Sequence, residues 1–148
     1  MKLGLSICFT LMILAVTARP SELPEISSAD KVAILQLAFE IKLKDEGPQK
    51  FADYLTISTE NMSEAMLPKI PGFEFTLMKP KEIEKRQKKA DRFRYLLVSE
   101  FTPRGRFINL SLGIIERCGG LPCHSHSYRY VFEKIDGAWQ GRIYMVIC

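Results

Sequence analysis

Residues 125–147 read SHSYRYVFEKIDGAWQGRIYMVI, and this stretch decides the fold. Asp136-Gly137 predicts a two-residue hairpin turn, because both central positions of such a turn need positive φ. Most of the large apolar side chains then fall on one face of the hairpin, and a slip by one residue would exchange the two faces, so the sequence specifies the register. The predicted pairs are Ile135 with Ala138, Lys134 with Trp139, Phe132 with Gly141, Tyr130 with Ile143, Tyr128 with Met145 and His126 with Ile147.

The segment before this hairpin follows the same logic. A turn at Arg104-Gly105 predicts strands over 93–102 and 107–117, which join strands over 127–135 and 138–147 in an antiparallel meander of four to five strands. One face would be apolar: Phe93, Tyr95, Leu97, Phe101, Ile108, Leu110, Leu112 and Ile114. The other would carry Arg94, Glu100, Asn109 and Ser111.

The N-terminal half supplies the helices that cover the apolar face. From Asp30 to Lys44 apolar residues recur at helical spacing, Ser27 or Ser28 is a suitable cap, and Pro48 opens a second short helix through Leu55. Alternation over 73–77 predicts a short strand. The fold class is therefore α+β, with N-terminal helices on one face of a curved antiparallel sheet. The predicted core consists of Ile34, Leu37, Ile41, Leu110, Leu112, Tyr130, Phe132 and Ile143.

A basic stretch over 79–94 predicts a solvated helix, because Ile83 is almost its only apolar residue before Phe93. Glu82 with Arg86 and Glu84 with Lys88 are oppositely charged pairs at i, i+4 spacing. Such a surface is also a candidate for anion binding. The anion-binding candidates are Lys85, Arg86, Lys88 and Lys89.

The first residues indicate export. Lys2 precedes an apolar run from Leu3 to Val16, and small residues lead up to Ala18, as in a signal peptide that is cleaved after residue 18. The run is shorter than the roughly 20 residues that span a bilayer. We therefore expect a signal peptide over 1–18, a flexible lead-in over 19–29 and one domain over 30–148, secreted or periplasmic, without a membrane span in the mature chain.

Composition agrees with one globular domain, since 47% of the 148 residues are apolar and 26% are charged. The 21 basic and 17 acidic residues give a net charge of +4, and cleavage would remove Lys2. This excess is too mild to indicate a nucleic-acid partner. No cofactor is indicated, and the partner is unknown.

The order of the elements carries a resemblance. A long helix, a short helix, a strand and then long strands ending in the hairpin Glu133-Lys134-Ile135-Asp136-Gly137-Ala138-Trp139 resemble the nuclear transport factor 2-like or cystatin-like α+β roll. The resemblance implies the fold and not the function, because that superfamily includes isomerases, dehydratases and binding modules. The chain departs from its enzymes by lacking a recognisable Asp/His pair.

The densest group of reactive side chains lies at 118–126, CGGLPCHSH. In an oxidising compartment it predicts a disulfide, Cys118–Cys123 as first choice and Cys123–Cys148 as second. Cleavage after residue 18 would remove Cys8 and leave Cys118, Cys123 and Cys148, so the third thiol would stay free or pair between chains, in a homodimer. The alternatives are a zinc site of Cys118, Cys123, His124 and His126, and a nucleophilic Cys123 beside His124.

Two sequons, Asn61-Met62-Ser63 and Asn109-Leu110-Ser111, would be glycosylated at Asn61 and Asn109 in a host that does so. Two functions remain open for the domain. The first is a non-catalytic secreted binding or accessory module, because no catalytic constellation is recognisable. The second is a small-pocket hydrolase or isomerase, which an inward-facing Asp, Glu or His would favour.

Overall fold

The computed structural model describes residues 25–118 and 121–147. The predicted cleavage site after Ala18, and Cys148, lie outside the described residues. Single 3₁₀ turns lie at Ala52–Tyr54 and Glu64–Met66. The helices and strands are α1 (Ser28–Glu46), α2 (Pro48–Phe51), β1 (Thr56–Ser58), β2 (Thr76–Met78), α3 (Pro80–Lys89), β3 (Arg92–Val98), β4 (Thr102–Arg104), β5 (Phe107–Cys118), β6 (Leu121–Ile135) and β7 (Ala138–Ile147).

Helix α1 begins at Ser28, earlier than the predicted Asp30. The Ser27 side chain accepts a hydrogen bond from the Asp30 backbone N–H at 3.1 Å, which satisfies one of the amides that a helix start leaves unpaired. The helix ends because Gly47 adopts a φ of 79°, and Pro48 then opens α2. Its packed stripe holds Ile34, Leu35, Ala38, Phe39 and Lys42, whereas Leu37 and Ile41 are only partly buried.

All strands in the described chain belong to one sheet in the order β2-β1-β3-β5-β6-β7, with β4 paired to β5. Strand β1 is parallel to β2 and β3, and the remaining pairs are antiparallel. The α+β class and the antiparallel centre are confirmed. The prediction of four to five strands in a purely antiparallel meander is wrong, because β1, β2 and β4, of three residues each, are too short to show a clear alternation.

The β6–β7 hairpin forms at the predicted turn, with Asp136 at φ 49° and Gly137 at 82°. Its register is confirmed from Ile135 opposite Ala138 to Tyr130 opposite Ile143. Beyond that point the predicted pairs are wrong. A β-bulge at Tyr144 shifts the register, so that Arg129 lies opposite Met145 and Tyr128 opposite Val146.

The predicted face of β3 is also wrong. Leu96 and Val98 are fully buried, opposite Ile114 and Leu112, whereas Leu97 is only partly buried. The turn forms one residue later than predicted, since Arg104 pairs with Phe107 and the loop is Gly105-Arg106, but this displacement alone keeps the predicted face. The cause lies between β3 and β4, whose registers on β5 differ by one residue. This shift also turns Arg94 to the helix face, the side of the sheet on which α1 packs.

The core lies between α1 and the helix face. Ile34, Leu110, Leu112, Tyr130 and Phe132 are fully buried there, as predicted, and Ile143 packs against them while partly exposed. None of the helices in the described ranges is long and apolar enough to cross a membrane.

Phe73 and Phe75 precede β2 and do not belong to a strand, contrary to the predicted alternation. Their rings pack against Phe51 in edge-to-face geometry at 5.0 and 6.0 Å between centroids, and Phe75 also meets Phe39 at 5.2 Å. The burial of these rings, and not strand pairing, accounts for the alternation.

Candidate functional site

Polar side chains gather where the apolar part of the helix face ends. Strand β5 turns Ile108, Leu110, Leu112 and Ile114 inward, and its next inward residue is Glu116, which is 5% exposed. Residues of α2 and the following 3₁₀ turn stand opposite. The space between them is a cleft of about 430 Å³, here called the core-face cleft, lined by Lys50, Asp53, Tyr54, Arg92, Arg94, Ile114, Glu116, His124 and His126.

Strand pairing places these groups side by side. Arg94, Glu116 and His124 lie opposite one another on β3, β5 and β6, and so form one row across the sheet. His126 lies opposite Ile114, one row further along. Because alternate residues of a strand share a face, Arg92 lies on the helix face with Arg94.

Two arginines hold Glu116. Arg92 Nε contacts Glu116 Oε1, and Arg94 Nε lies 3.0 Å from Oε2, so both carboxylate oxygens are paired. Arg94 also donates through Nη1 to Asp53 Oδ2 at 2.5 Å. A buried carboxylate is tolerated only with such compensation. Glu116 is therefore an anchor that fixes the two guanidinium groups.

The two imidazoles line the cleft from β6. Their rings meet edge to face at 4.7 Å between centroids. His124 Nδ1 donates to the Cys123 carbonyl oxygen at 3.0 Å. Across the described ranges neither imidazole is hydrogen-bonded to a carboxylate, which leaves the cleft without an Asp/His or Glu/His pair.

A buried polar network adjoins the cleft and joins α1 to β6. Glu46 Oε1 accepts a hydrogen bond from the Tyr128 hydroxyl at 2.6 Å and lies 3.3 Å from Lys50 Nζ. Lys42 is fully buried; its Nζ lies 3.0 Å from Glu46 Oε2, in an ion pair whose angles fall outside hydrogen-bond geometry. The same Nζ sits 3.7 Å from the centre of the Tyr128 ring and 5.1 Å from that of Tyr54. Lys50 and Tyr54 belong to both the network and the cleft.

Burial and pairing shift the pKa values of this network in opposite directions. Burial lowers the pKa of Lys42, although Glu46 partly opposes this. Burial works against ionisation of Glu46, but the bond from Tyr128 and the nearby lysines outweigh it, so the pKa of Glu46 lies below its usual value. Burial and the bond to Glu46 raise the pKa of Tyr128. These shifts favour an ionised Glu46 beside a neutral Tyr128.

Cys118 and Cys123 form a disulfide with a Cα–Cα distance of 5.7 Å, which confirms the first-choice bridge. The bridge consumes the thiol that a nucleophilic Cys123 would need. A carboxylate oxygen of Glu116 lies within 4.8 Å of both sulfur atoms, and neither imidazole belongs to this group. The alternative of a zinc site would need Cys118, Cys123, His124 and His126 around one point, and the two imidazoles do not join the sulfur atoms in this group.

The remaining predicted site residues lie outside the cleft. Lys85, Arg86, Lys88 and Lys89 are exposed on α3, where Lys88 pairs with Glu84 at 2.9 Å. Glu82 accepts a hydrogen bond from the Lys79 backbone N–H instead of pairing with Arg86. Asn61 and Asn109 lie near the other face of the sheet, where Asn61 Nδ2 donates to the Val98 carbonyl at 3.1 Å.

Three residues of the site and its adjoining network escape the sequence prediction, although two patterns in the sequence carry a signal for them. Glu116 continues the inward alternation of β5 two residues past Ile114. Lys42 and Glu46 continue the i, i+4 row that begins at Ile34 and Ala38. In both cases a charged residue at an apolar position of a clear pattern marks a buried charge.

No family model matches the chain, and comparison with the curated proteins and with the solved structures found no match. No relative therefore supplies a family or a function for this chain, and both must be inferred from its own structure. The resemblance to the nuclear transport factor 2-like or cystatin-like roll stays a prediction.

Proposed function

We propose that this protein is a non-catalytic binding module of an exported compartment, and that its core-face cleft binds a small organic carboxylate. One observation carries the proposal. Arg92 uses only its Nε–H on Glu116, and its two terminal NH₂ groups have no partner among the described residues. A guanidinium fork held at one end and open at the other matches the two oxygens of a carboxylate.

The charges of the cleft favour an anion over a cation. Three cations and two carboxylates line the cleft, so positive groups are in excess among its lining residues, although Lys50 also pairs with Glu46 of the adjoining network. Arg94 already binds both carboxylates, which leaves them poorly placed to attract a cation. The side chains of Lys50 and Arg92 are 58% and 63% exposed, and are thus open to a ligand.

The volume and the lining residues of the cleft limit the size and the chemical character of its ligand. A volume of about 430 Å³ lies within the range of small-molecule sites. Tyr54 and the paired rings of His124 and His126 offer flat surfaces beside the charged groups. We therefore expect a small molecule that combines a carboxylate with a ring or a short apolar body.

The same geometry argues against the alternative of a hydrolase or isomerase. An inward-facing acid, Glu116, is present, but its two oxygens are paired with guanidinium groups and are not available as a general base. A base needs an orienting partner and a free lone pair near the substrate, and His126 has no carboxylate partner in the part of the chain that the structure describes. The disulfide supports an oxidising compartment.

Isothermal titration with benzoate, phenylacetate and succinate tests the proposal, with benzamide as the uncharged counterpart of benzoate. We expect at least one acid to bind and benzamide to bind more weakly. Arg92→Gln should reduce the affinity at least about tenfold, which is the value of one lost charge-assisted hydrogen bond. Arg142→Gln, which removes an exposed arginine outside the cleft, is the matched control.

Equal binding of benzoate and benzamide, or equal losses in both arginine variants, would contradict the proposal. Incubation with 4-nitrophenyl acetate addresses the enzyme alternative. Steady turnover that is lost in Glu116→Gln but kept in Arg142→Gln would show that the cleft is catalytic.

A further inference from the structure

A second concave site lies on the outer face of the sheet, the side opposite the helix face. It is a groove of about 750 Å³, larger than the core-face cleft, and β5 and β6 form its floor. The segment 99–104 forms one wall and β7 the other. The groove residues that bear on its chemistry are Asn61, Glu100, Arg104, Asn109, Arg129 and Tyr144.

Two of these residues are unpaired cations. Arg104 and Arg129 make neither an ion pair nor a hydrogen bond with any residue in the described ranges, whereas Arg92, Arg94 and Arg106 are each paired with a carboxylate. Both unpaired arginines are exposed. Among the described lining residues the only carboxylate is Glu100, so the groove presents two free guanidinium forks against one acid.

The bulge in β7 places an aromatic ring at the same groove. Strand pairing passes from Ile143 opposite Tyr130 to Met145 opposite Arg129, so Tyr144 is the additional residue. Its side chain is 63% exposed and lines the groove. β-bulges often re-aim a side chain beside a functional site, and an exposed ring that borders polar groups offers an apolar surface with a polar tip.

We propose that this outer-face groove binds an acidic oligosaccharide. The carboxylate or sulfate groups of such a chain pair with Arg104 and Arg129, which bind planar or tetrahedral oxyanions through two N–H groups. The sugar hydroxyls meet the amides of Asn61 and Asn109, and a sugar ring stacks its C–H groups on Tyr144. This site lies on the opposite side of the sheet from the core-face cleft and does not depend on it.

Other polyanions fit the groove less well. Single-stranded nucleic acid is bound by a row of aromatic rings along a basic channel. Here Tyr144 is the single strongly exposed ring among the described lining residues, and Glu100 would repel a continuous phosphate backbone. An oligosaccharide needs only one ring for stacking, and its hydroxyl groups can donate hydrogen bonds to the Glu100 carboxylate.

The test is a set of titrations with three hexasaccharides of matched length: heparin-derived (sulfate and carboxylate), oligogalacturonate (carboxylate alone) and maltohexaose (neutral). We expect one or both acidic chains to bind and maltohexaose to bind at least about tenfold more weakly. The comparison of the two acidic probes separates sulfate from carboxylate recognition.

Variants with equal charge loss locate the site. Arg104→Gln/Arg129→Gln should abolish the preference for acidic chains, while Lys85→Gln/Arg86→Gln, which removes two exposed charges from α3, should keep it. Tyr144→Ala should weaken the binding of every acidic chain that the parent protein binds, and by about the same factor. All of these side chains are exposed, so the variants should keep the far-ultraviolet circular dichroism of the parent protein.

Three outcomes would overturn the proposal. They are no binding of either acidic hexasaccharide, a loss of binding that follows the α3 variant, and equal or tighter binding of a thymidine dodecanucleotide at the same site.

Discussion

At the scale of single residues, two neighbouring tyrosines on β6 allow a direct test of the buried network. Tyr128 donates its hydroxyl hydrogen to buried Glu46, whereas the hydroxyl of fully buried Tyr130 has no hydrogen-bond partner among the described residues. Removal of the Tyr128 hydroxyl leaves a desolvated carboxylate oxygen, but removal of the Tyr130 hydroxyl relieves a desolvated group.

Tyr128→Phe should therefore lower the free energy of unfolding by about 1.5 to 3 kcal/mol, the range for a bond to a charged group. Tyr130→Phe should leave the stability unchanged or raise it. Urea unfolding of both variants measures the difference. Equal losses would mean that the hydroxyl of Tyr130 also has a stabilising partner.

Gly141 must be a glycine because neighbouring side chains approach its backbone closely. A Cβ at this position would lie 3.2 Å from Ile41 Cδ1 and well inside the contact distance of the Phe132 ring, which is fully buried. Gly141→Ala should thus cost about 1 to 3 kcal/mol through overpacking. At Gly113 a Cβ would make ordinary contacts of 3.7 and 3.8 Å with Leu97, so Gly113→Ala is the control, and denaturant midpoints should differ only for Gly141→Ala.

At the scale of elements, the sequence is most informative where alternation and turn chemistry agree. The Asp136-Gly137 turn fixes the register of β6 and β7 as far as Tyr130 and Ile143, because positive φ is required at both turn residues. The Arg104-Gly105 segment has only one residue that favours positive φ, and the loop forms one residue later than predicted. A bulge, or a one-residue change of register between two strands, leaves little local trace, yet it reverses a whole face.

The reversed face of β3 gives the next prediction. Leu96 is fully buried on the helix face of β3. Its neighbour Leu97 points to the other face and is partly exposed. Leu96→Ala should reduce stability by about 2 to 5 kcal/mol, the range for a buried leucine. Leu97→Ala should cost about 1 kcal/mol. Guanidinium unfolding of the two variants decides which face of β3 is buried. A larger loss of stability in Leu97→Ala than in Leu96→Ala would support the face expected from the sequence.

The β5–β6 hairpin carries the disulfide, and the loss of this bridge can be separated from the loss of a thiol outside it, that of Cys148. The double variant Cys118→Ser/Cys123→Ser should be less stable by about 2 kcal/mol, because the bridge closes a loop of only six residues. Cys148→Ser, which leaves this bridge intact, is the control. In a chain that begins at Arg19, mass spectrometry without reduction should find one bridge and one alkylatable thiol. A bridge that includes Cys148 would contradict the assignment.

At the scale of the whole molecule, the candidate site depends on contacts that local patterns do not contain. Glu116 is visible as the next inward residue of β5, but its partner Arg94 comes from a strand whose face was reversed. Lys50 and Asp53 come from α2 and the turn after it, far from β5 in sequence. The sequence can therefore indicate the sheet and the buried acid, while the cleft emerges only once the helix layer is docked on the sheet.

The docking of that layer is anchored at the start of α1. Asp30 Oδ1 accepts hydrogen bonds from Trp139 Nε1 at 2.7 Å and Lys134 Nζ at 3.0 Å, and Oδ2 accepts one from the Ser27 hydroxyl at 2.8 Å. The bond from Trp139, followed by those from Lys134 and Ser27, lowers the pKa of Asp30 from 3.8 to about 2. One carboxylate thus holds the first turn of α1 to the tip of the β6–β7 hairpin.

A carboxyl group with a depressed pKa stabilises the folded state only while it is ionised. The contribution of Asp30 should be complete above its unfolded pKa of 3.8 and should disappear as the pH falls towards about 2. In urea unfolding between pH 2 and 7, Asp30→Asn should therefore be less stable than the parent protein at neutral pH, and the difference should shrink below about pH 4. Asp91 is exposed and makes no ion pair in the described chain, so Asp91→Asn is the control. Its free energy of unfolding should follow that of the parent protein at every pH. A difference for Asp30→Asn that does not change with pH would mean that the amide disturbs packing at the hairpin tip and that the charge of Asp30 does not hold the two layers together.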